Sequence, residues 1–199
     1  MSYPFLAAQH WVFDLDGTLT QPVHDFEHIR RELGMVSGAD ILATIESQAP
    51  DQRAALHLRL DELELYYAQQ AKPALGVIEL LATLRRRGCR LGILTRNKRE
   101  FAISSLQAID AWQFFDATAV IGRDEAAPKP HPEGYGLLLE QWCASGAETV
   151  MVGDFRYDLE VGRAVGAATV HVDDRGDRSW PELTDLRVET LLELSALLD

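Results

Sequence analysis

The sequence predicts an α/β protein, in which a parallel β-sheet is flanked by helices. Short apolar runs alternate with amphipathic stretches along most of the chain, which is the pattern of this class. Within the stretches, apolar residues recur three or four positions apart, as expected for helices with one buried face. The chain has 199 residues, of which 47% are apolar, so it is long enough for one sizeable core and a small additional unit.

Five apolar runs are predicted to form the strands of the sheet, at residues 10–16, 90–95, 116–121, 149–154 and 168–172. Four helices are predicted to connect them, at residues 75–87, 98–109, 132–144 and 157–165. Gly88, Gly146 and Gly166 follow three of these elements, and glycine is favoured just beyond the end of a helix.

Residues 20–73 interrupt this alternation. They contain no strand-like run and predict three helices, at residues 25–33, 39–47 and 52–71. About fifty residues are too many for an ordinary connection between a strand and a helix. We therefore predict that residues 20–73 form a small helical cap domain inserted into a core made of residues 1–19 and 74–199. The alternative is that they form one more layer of the same domain.

Composition excludes several classes of partner. The formal net charge is −12, with 31 acidic and 19 basic residues, which disfavours nucleic acids and anionic lipids as general partners. Cys89 and Cys143 cannot make a disulfide framework, and we predict that both are small buried residues in a reducing compartment. The N-terminal residues lack the pattern of a signal peptide, and no apolar run is long enough to span a membrane. We expect a cytoplasmic protein.

Two carboxylates end the first predicted strand. Asp14 and Asp16 follow an apolar run, and Gly17 allows the chain to turn so that Asp16 can approach Asp14. Such a pair is costly unless a cation or hydrogen bonds stabilise it. A calcium-binding loop is out of register here, because it requires glycine at its sixth position. The remaining alternative is an exposed strand end with two idle aspartates.

The fourth predicted strand ends in the same way. Asp154 stands at its end, and Asp158 follows in the first turn of the next helix. Asp158 could simply cap that helix or complement its dipole. Since the carboxyl ends of parallel strands share one edge of a sheet, Asp14, Asp16, Asp154 and Asp158 are predicted to form an oxygen-rich pocket suited to Mg²⁺ if they are adjacent.

Two further strand ends carry groups that could bind an anion. Thr95 ends the second strand, and Arg96 and Asn97 follow it at the start of a helix, where free N–H groups can bind phosphate. Thr95 could instead be only an N-cap. Lys129 lies between two prolines after the third strand, and this restricted backbone could hold its ammonium in a site. Otherwise it is an exposed loop residue.

Taken together, these motifs resemble those of the haloacid dehalogenase superfamily of phosphohydrolases. The match runs in order through Asp14-Leu-Asp16-Gly-Thr18, Thr95, Lys129 and Gly153-Asp154 through Asp158, each after a predicted strand. The resemblance implies a Rossmann-like parallel sheet. The helical insertion is similar to the α-helical cap of the phosphoglycolate phosphatase and β-phosphoglucomutase group. The acid at Asp16 favours phosphoryl chemistry, because dehalogenases of the superfamily lack it.

The resemblance also implies roles for the two acids of the first motif. Asp14 is the nucleophile, which forms an aspartyl-phosphate, and Asp16 is the general acid and then the general base. Mg²⁺ is held by Asp14, by the backbone carbonyl of Asp16 and by Asp154, with Asp158 binding directly or through water.

The other implied roles concern the phosphoryl group and the substrate. Thr95 and Lys129 hold the phosphoryl oxygens, and Arg96 stands where this group usually has a small residue or Asn, so that it could contact substrate. We expect a phosphatase acting on a small phosphorylated metabolite. The alternatives are a phosphosugar mutase of the same fold and a non-catalytic phosphate-binding regulatory module. Basic residues of the insertion are further candidates for substrate contact, although exposed helix faces are their default: Arg30, Arg31, Arg53, His57, Arg59 and Lys72.

Overall fold

A computed structural model of the protein describes residues 3–22, 25–174 and 176–198. Within these residues, six parallel strands form one sheet in the order β3-β2-β1-β4-β5-β6. The strands are β1 (His10–Phe13), β2 (Arg90–Leu94), β3 (Val120–Ile121), β4 (Thr149–Gly153), β5 (Ala168–Val172) and β6 (Leu186–Val188). The chain builds outward from β1 to β3 and then returns to β4 on the other side of β1. Ligands of open α/β sheets bind at such a switch point.

Eight helices accompany the sheet in the described part of the chain. Three belong to the predicted insertion: α1 (Phe26–Glu32), α2 (Ile41–Glu46) and α3 (Pro50–Ala68). The others are α4 (Val77–Arg86), α5 (Arg99–Ala108), α6 (Glu133–Trp142), α7 (Arg156–Val165) and α8 (Leu191–Ala196). No helix in residues 3–22, 25–174 and 176–198 has the length and apolar character needed to cross a membrane.

The central strands are buried on both faces. Alternate residues of a strand point to opposite faces, and in β1 Trp11 and Phe13 pack in one apolar cluster while Val12 packs in another. The first cluster includes residues of α4, α5 and α8, and the second includes residues of α6 and α7. This two-sided burial explains why the strands are continuous apolar runs in the sequence. The predicted α/β fold class is confirmed.

The insertion has an apolar cluster of its own. Ile29, Ile45, Leu60, Leu63 and Tyr67 are buried between α1, α2 and α3. The two chain segments that connect the insertion to the sheet run side by side, with a hydrogen bond of 2.8 Å from the N–H of residue 21 to the carbonyl oxygen of residue 72. The insertion therefore leaves and re-enters the rest of the chain through two adjacent segments.

The structure differs from the sequence prediction in three places. The third strand has only two residues, because Asp116 accepts a hydrogen bond from the Thr118 N–H and starts a 3-10 turn over Ala117–Ala119. β6 and α8 were not predicted, since three and six residues are too short to show a period. Cys143 is exposed rather than buried, because it ends α6 in a left-handed conformation with φ of 51°, whereas Cys89 is buried.

Candidate functional site

Two of the predicted acids lie at the switch point of the sheet. Asp14 directly follows β1, and Asp154 directly follows β4, which pairs with β1 through Phe13 and Val152. The Asp14 N–H continues this ladder by donating to the Val152 carbonyl oxygen over 2.9 Å. The two side chains are therefore adjacent because their strands are paired.

Asp158 joins them from the first turn of α7. Its Oδ2 accepts a hydrogen bond of 3.0 Å from the Phe155 N–H, so it does cap the helix. It also contributes to a cluster with Asp14 and Asp154, in which one carboxylate oxygen of each residue lies within 4.8 Å of the others. Asp158 thus has both of the roles that the sequence left open, as a helix cap and as a member of the cluster.

Two glycines make this close approach possible. Gly17 has φ of +93°, and a Cβ at this position would lie 2.8 Å from Oδ2 of Asp154. A Cβ at Gly153 would lie 2.2 Å from Cβ of Asp158. Any side chain at either position would collide with a member of the cluster.

Lys129 provides the positive charge at the centre of the site. Its Nζ lies 2.6 Å from Oδ1 of Asp14 and 2.6 Å from Oδ1 of Asp158. The residue is 3% exposed, which excludes the exposed-loop interpretation. Burial favours its neutral form, but the two carboxylates outweigh this effect and hold the pKa of Lys129 above its ordinary value.

Two acids of the cluster, Asp154 and Asp158, have pKa values raised above their ordinary range. Burial, together with the charges of Asp14 and Asp158, raises the pKa of Asp154 to about 8. Burial also raises the pKa of Asp158 to about 6, despite the ammonium of Lys129. The site is therefore short of positive charge.

This arrangement fits a hard divalent cation. The cluster offers three carboxylates, and Asp16 lines the same cavity. Oxygen ligands alone, with net negative charge and no sulfur or imidazole among the cluster, are the donor set that Mg²⁺ takes in proteins.

The predicted anion-binding residues lie beside the acids. Thr95 and Asn97 are buried, and both line the cavity with Asp14 and Lys129. Oγ1 of Thr95 accepts a hydrogen bond of 3.1 Å from the Asn97 N–H, so its own hydroxyl hydrogen can be donated to a ligand. Oδ1 of Asn97 accepts from the Lys98 N–H over 2.8 Å and orders the start of α5.

Arg96 has a different environment from the one expected for a substrate contact. Its Nη2 lies 2.9 Å and 2.8 Å from the two carboxylate oxygens of Asp40, the N-cap residue of α2. Its guanidinium carbon lies 4.9 Å from the ring centre of Tyr157. Arg96 does line the cavity, but its charge is paired with a residue of the insertion.

Two residues that contact Asp154 have no role in the sequence prediction: Arg178 was not identified, and Thr18 was identified only as part of the first motif. Nη1 of Arg178 lies 3.0 Å from Oδ2 of Asp154, and its guanidinium lies over the ring of Phe155. Oγ1 of Thr18 donates to Oδ1 of Asp154 over 3.4 Å. Arg178 lies in the polar segment after β5. Its position beyond the carboxyl end of a strand was a usable signal.

A partly buried ionic cluster joins the insertion to the segments that follow two strands of the sheet. Arg123, which follows β3 and whose side chain is 5% exposed, donates to Asp61 over 2.8 Å and to Glu64 over 2.6 Å and 2.9 Å. Lys98 lies 2.5 Å from the other carboxylate oxygen of Asp61. Asp61 and Glu64 lie on α3, so these ion pairs connect the insertion to the segments that follow β2 and β3.

The buried carboxyl group of Glu64 should make the folding stability of the protein depend on pH. Burial raises the pKa of Glu64 to about 7, although Arg123 acts in the opposite direction. Since the folded state binds this proton more tightly than the unfolded state, the contribution of Glu64 to stability is fully present below about pH 4.5 and is lost as the pH rises to 7. As the pH rises through this range, the free energy of unfolding of Glu64→Gln should increase relative to that of the wild type by roughly 2 to 3 kcal/mol.

Urea unfolding of both proteins at pH 5 and pH 8 measures this change. Glu62→Gln is the matched control, because Glu62 lies on the same helix with an exposed side chain. Its stability difference from the wild type should stay constant with pH. A constant difference for Glu64→Gln as well would contradict the assignment of this proton to Glu64.

The acids, Lys129 and the insertion enclose one cavity of about 490 Å³. The insertion contributes most of the apolar side chains and also three charged ones, Arg30, Asp40 and Glu64, whereas the acids of the cluster and Lys129 come from the segments that follow the strands. Of the six basic residues of the insertion that the sequence suggested for substrate contact, Arg30 lines the cavity. Arg53 and Arg59 instead pair with glutamates of the insertion, Glu46 for the first and Glu32 and Glu62 for the second.

Comparison with known proteins agrees with this geometry. Residues 11–172 match the family of haloacid dehalogenase-like hydrolases. Probable phosphatase IndB of Dickeya dadantii is 30% identical over 186 residues, covering 81% of this chain and 79% of that protein. Pyrophosphatase PpaX of Bacillus pumilus is 29% identical over 183 residues, covering 81% of each. The crystal structure of CbbY from Rhodobacter sphaeroides in complex with phosphate has a TM-score of 0.75 at 21% identity, covering 96% of this chain and 99% of that one.

The fold and the site therefore define a hydrolase with a Rossmann-like sheet, and the chain belongs to the haloacid dehalogenase-like hydrolase family. The resemblance inferred from the four sequence motifs is confirmed. Within the family, the prediction of a phosphatase is confirmed at the level of the enzyme class.

Proposed function

We propose that the protein is a Mg²⁺-dependent phosphatase that hydrolyses a small phosphomonoester through an aspartyl-phosphate on Asp14. One observation carries the proposal: three carboxylates converge within 4.8 Å at the switch point of the sheet, and the buried ammonium of Lys129 contacts two of them. An acidic cluster alone would repel a phosphate. Lys129 and a cation together supply the positive charge that phosphoryl transfer needs near the equatorial oxygens.

The residues that would hold Mg²⁺ are Asp14, the backbone carbonyl of Asp16, and Asp154, with Asp158 binding directly or through water. The bound ion would neutralise charge on the phosphoryl oxygens and so let a carboxylate approach phosphorus. Arg178 contacts Asp154 over 3.0 Å and adds positive charge there.

In the first step, a carboxylate oxygen of Asp14 forms a bond to phosphorus, and the bond between phosphorus and the ester oxygen breaks. The electron pair of that bond stays on the leaving oxygen, which takes a proton from the Asp16 carboxyl group and departs as an alcohol. Lys129 and the hydroxyl of Thr95 hold the phosphoryl oxygens during this transfer.

In the second step, Asp16 accepts a proton from water as the water oxygen bonds to phosphorus. The bond between phosphorus and Asp14 breaks, inorganic phosphate leaves, and the Asp14 carboxylate and the protonated Asp16 are regenerated. Asp16 lines the cavity and is partly exposed, which suits a group that must meet first an alcohol and then water.

Residues 20–73 are proposed to act as a cap domain over this chemistry. The separate apolar cluster of α1, α2 and α3 and the paired connecting segments support a unit that can move as one body, and the ion pairs to Arg123 support its closed position over the site. A closed cap would keep bulk water from the phosphoryl group and strengthen the charge interactions around it.

Metal removal gives the first test. Activity should vanish in EDTA and return with Mg²⁺, and Mg²⁺ should raise the melting temperature because it binds the folded carboxylate cluster. At a hundredfold excess over the dissociation constant, the stabilisation should be about 2.7 kcal/mol. The thermal shift should be lost in Asp154→Asn. Full activity in a verified metal-free preparation would contradict the proposed metal site.

The proposed activity itself is tested by phosphate release from 4-nitrophenyl phosphate and from a panel of phosphorylated metabolites. The proposal expects inorganic phosphate as the product. An isomerised phosphosugar in place of phosphate, or no turnover of any ester, would contradict it.

A further inference from the structure

The cavity of the proposed site has a polar floor and an apolar roof. The strand ends supply the floor, where the phosphoryl group would lie against Asp14 and Lys129. The insertion supplies the roof, which the leaving alcohol would touch. Its apolar side chains are Phe26, Ile29, Ile41, Leu42 and Leu60. A surface of this kind favours an alcohol with an apolar portion.

The cations that line the roof are already paired. Nη2 of Arg96 contacts both carboxylate oxygens of Asp40, at 2.9 Å and 2.8 Å. Nη1 of Arg30 lies 2.7 Å from Oε1 of Glu27, and its Nε donates to the carbonyl oxygen of Ala39 over 2.8 Å. Among the described residues, neither guanidinium is therefore left with an uncompensated charge for a substrate.

The two carboxylates of the roof are paired as well. Asp40 and Glu64 line the cavity, and Glu64 lies with Arg123 in the partly buried ionic cluster. Arg178, the other guanidinium that lines the cavity in the described part of the chain, pairs with Asp154 over 3.0 Å, so each guanidinium of the lining has a carboxylate partner. A carboxylate or second phosphate on the leaving group would lose its hydration without gaining a surplus cation.

We infer that the substrate is a monoester of phosphate with a small uncharged alcohol, and that Asp40 sets this preference by pairing with Arg96. The inference rests on the proposed phosphatase function. A cavity of about 490 Å³, part of which the phosphoryl group itself fills, limits the alcohol to a compact one. Arg96 is then a positioning residue: it fixes the N-terminus of α2 and, with it, the apolar residues Ile41 and Leu42.

Substrates whose leaving groups differ in charge test the preference for an uncharged alcohol. Glycerol 3-phosphate and 3-phosphoglycerate share the carbon atoms next to the ester oxygen, but the second carries a carboxylate in place of a CH₂OH group. Isobutyl phosphate adds an apolar alcohol, and inorganic pyrophosphate adds a charged leaving group. We expect kcat/KM for glycerol 3-phosphate and isobutyl phosphate to exceed that for the two anionic substrates by about tenfold or more.

Asp40→Asn tests the role of Asp40. Asparagine keeps the N-cap hydrogen bond that Asp40 makes to the Ala43 N–H, but it frees the charge of Arg96. The ratio of kcat/KM for 3-phosphoglycerate to that for glycerol 3-phosphate should rise about tenfold, the scale of one charge-assisted hydrogen bond. The double variant Asp40→Asn with Arg96→Gln should return the ratio toward the wild-type value.

Asp25→Asn is the matched control. Asp25 is the N-cap residue of α1, where it accepts from the His28 N–H over 2.8 Å, and it does not line the cavity. This variant loses the same charge from the insertion and should leave the ratio unchanged. An equal rise in Asp25→Asn and Asp40→Asn would make the effect a general one of net charge and would overturn the assignment to Asp40.

Different results would contradict the phosphatase function and the preference for an uncharged alcohol. Hydrolysis of phosphomonoesters with a wild-type preference for 3-phosphoglycerate or pyrophosphate would overturn the inference and leave the phosphatase function standing. Absence of hydrolysis for every ester would overturn the function, and the inference with it. An unchanged ratio in Asp40→Asn would show that Arg96 does not reach the leaving group.

Discussion

Asp14→Asn is expected to abolish turnover while the protein remains folded. The amide has nearly the same shape as the carboxylate, but it cannot form the bond to phosphorus, so every substrate should lose at least about 10³-fold in kcat/KM, or about 4 kcal/mol in barrier. The variant removes one of the like charges of the acidic cluster, and Lys129 keeps its ion pair with Asp158 at 2.6 Å, so the protein should remain folded in the absence of metal.

Steady-state kinetics on 4-nitrophenyl phosphate, with circular dichroism as the check on folding, measures this effect. Asp51→Asn is the matched control, since Asp51 is an exposed carboxylate in the first turn of α3. It should keep its activity within about twofold, as expected for a surface change away from the site. Turnover by folded Asp14→Asn at the wild-type rate would remove Asp14 from the mechanism.

Lys129→Met is expected to depress all substrates together, by roughly 10² to 10³-fold in kcat/KM, because the phosphoryl group that all of them share loses a preorganised positive charge. The same change should destabilise the metal-free protein. It leaves Asp14 and Asp158 without the ammonium that lies 2.6 Å from each of them, and breaking a buried ion pair in this way costs about 3 to 5 kcal/mol.

Mg²⁺ should restore part of the lost stability of Lys129→Met, because it neutralises the same carboxylates, but it should not restore the rate. Lys72→Met provides the control, as Lys72 is an exposed residue at the base of the insertion. A Lys129→Met enzyme that changed the order of preferred substrates, and did not slow them equally, would place Lys129 at the leaving group.

The parts of the site that sequence predicted are those encoded by local patterns. An apolar strand that ends in Asp14 or Asp154 identifies both the strand and the edge of the sheet where its carboxylate lies. Gly17 could be assigned a turn because glycine adopts backbone conformations that other residues avoid, and the structure gives it φ of +93°. Parallel pairing of β1 with β4 then brings these residues together without further information.

The parts that sequence did not predict depend on contacts between distant residues. Arg96 pairs with Asp40, which is 56 positions earlier in the chain, and nothing in either local pattern indicates this pairing. Glu64 lies on a helix with charged residues all around it, so that its burial against Arg123 is a consequence of how α3 packs on the segment that follows β3. The surroundings of the leaving group are built from such long-range contacts.

The short elements were missed for a different reason. β6 has three residues, two of them buried, and a single alternation cannot be distinguished from a loop. The predicted third strand included residues that form a 3-10 turn, because the hydrogen bonds of Asp116 to the N–H and hydroxyl of Thr118 compete with the ladder.

The most direct test of the mechanism is to trap the phosphoryl group on Asp14. In Asp16→Asn, the base that activates water is absent, while 4-nitrophenolate leaves without needing a proton from an acid, so the intermediate should accumulate. After rapid quenching and borohydride reduction, peptide mass spectrometry should find the reduced residue at position 14, and the double variant Asp14→Asn with Asp16→Asn should show none. A burst of 4-nitrophenolate with no modification at Asp14, or with the modification on another residue, would contradict the proposed nucleophile.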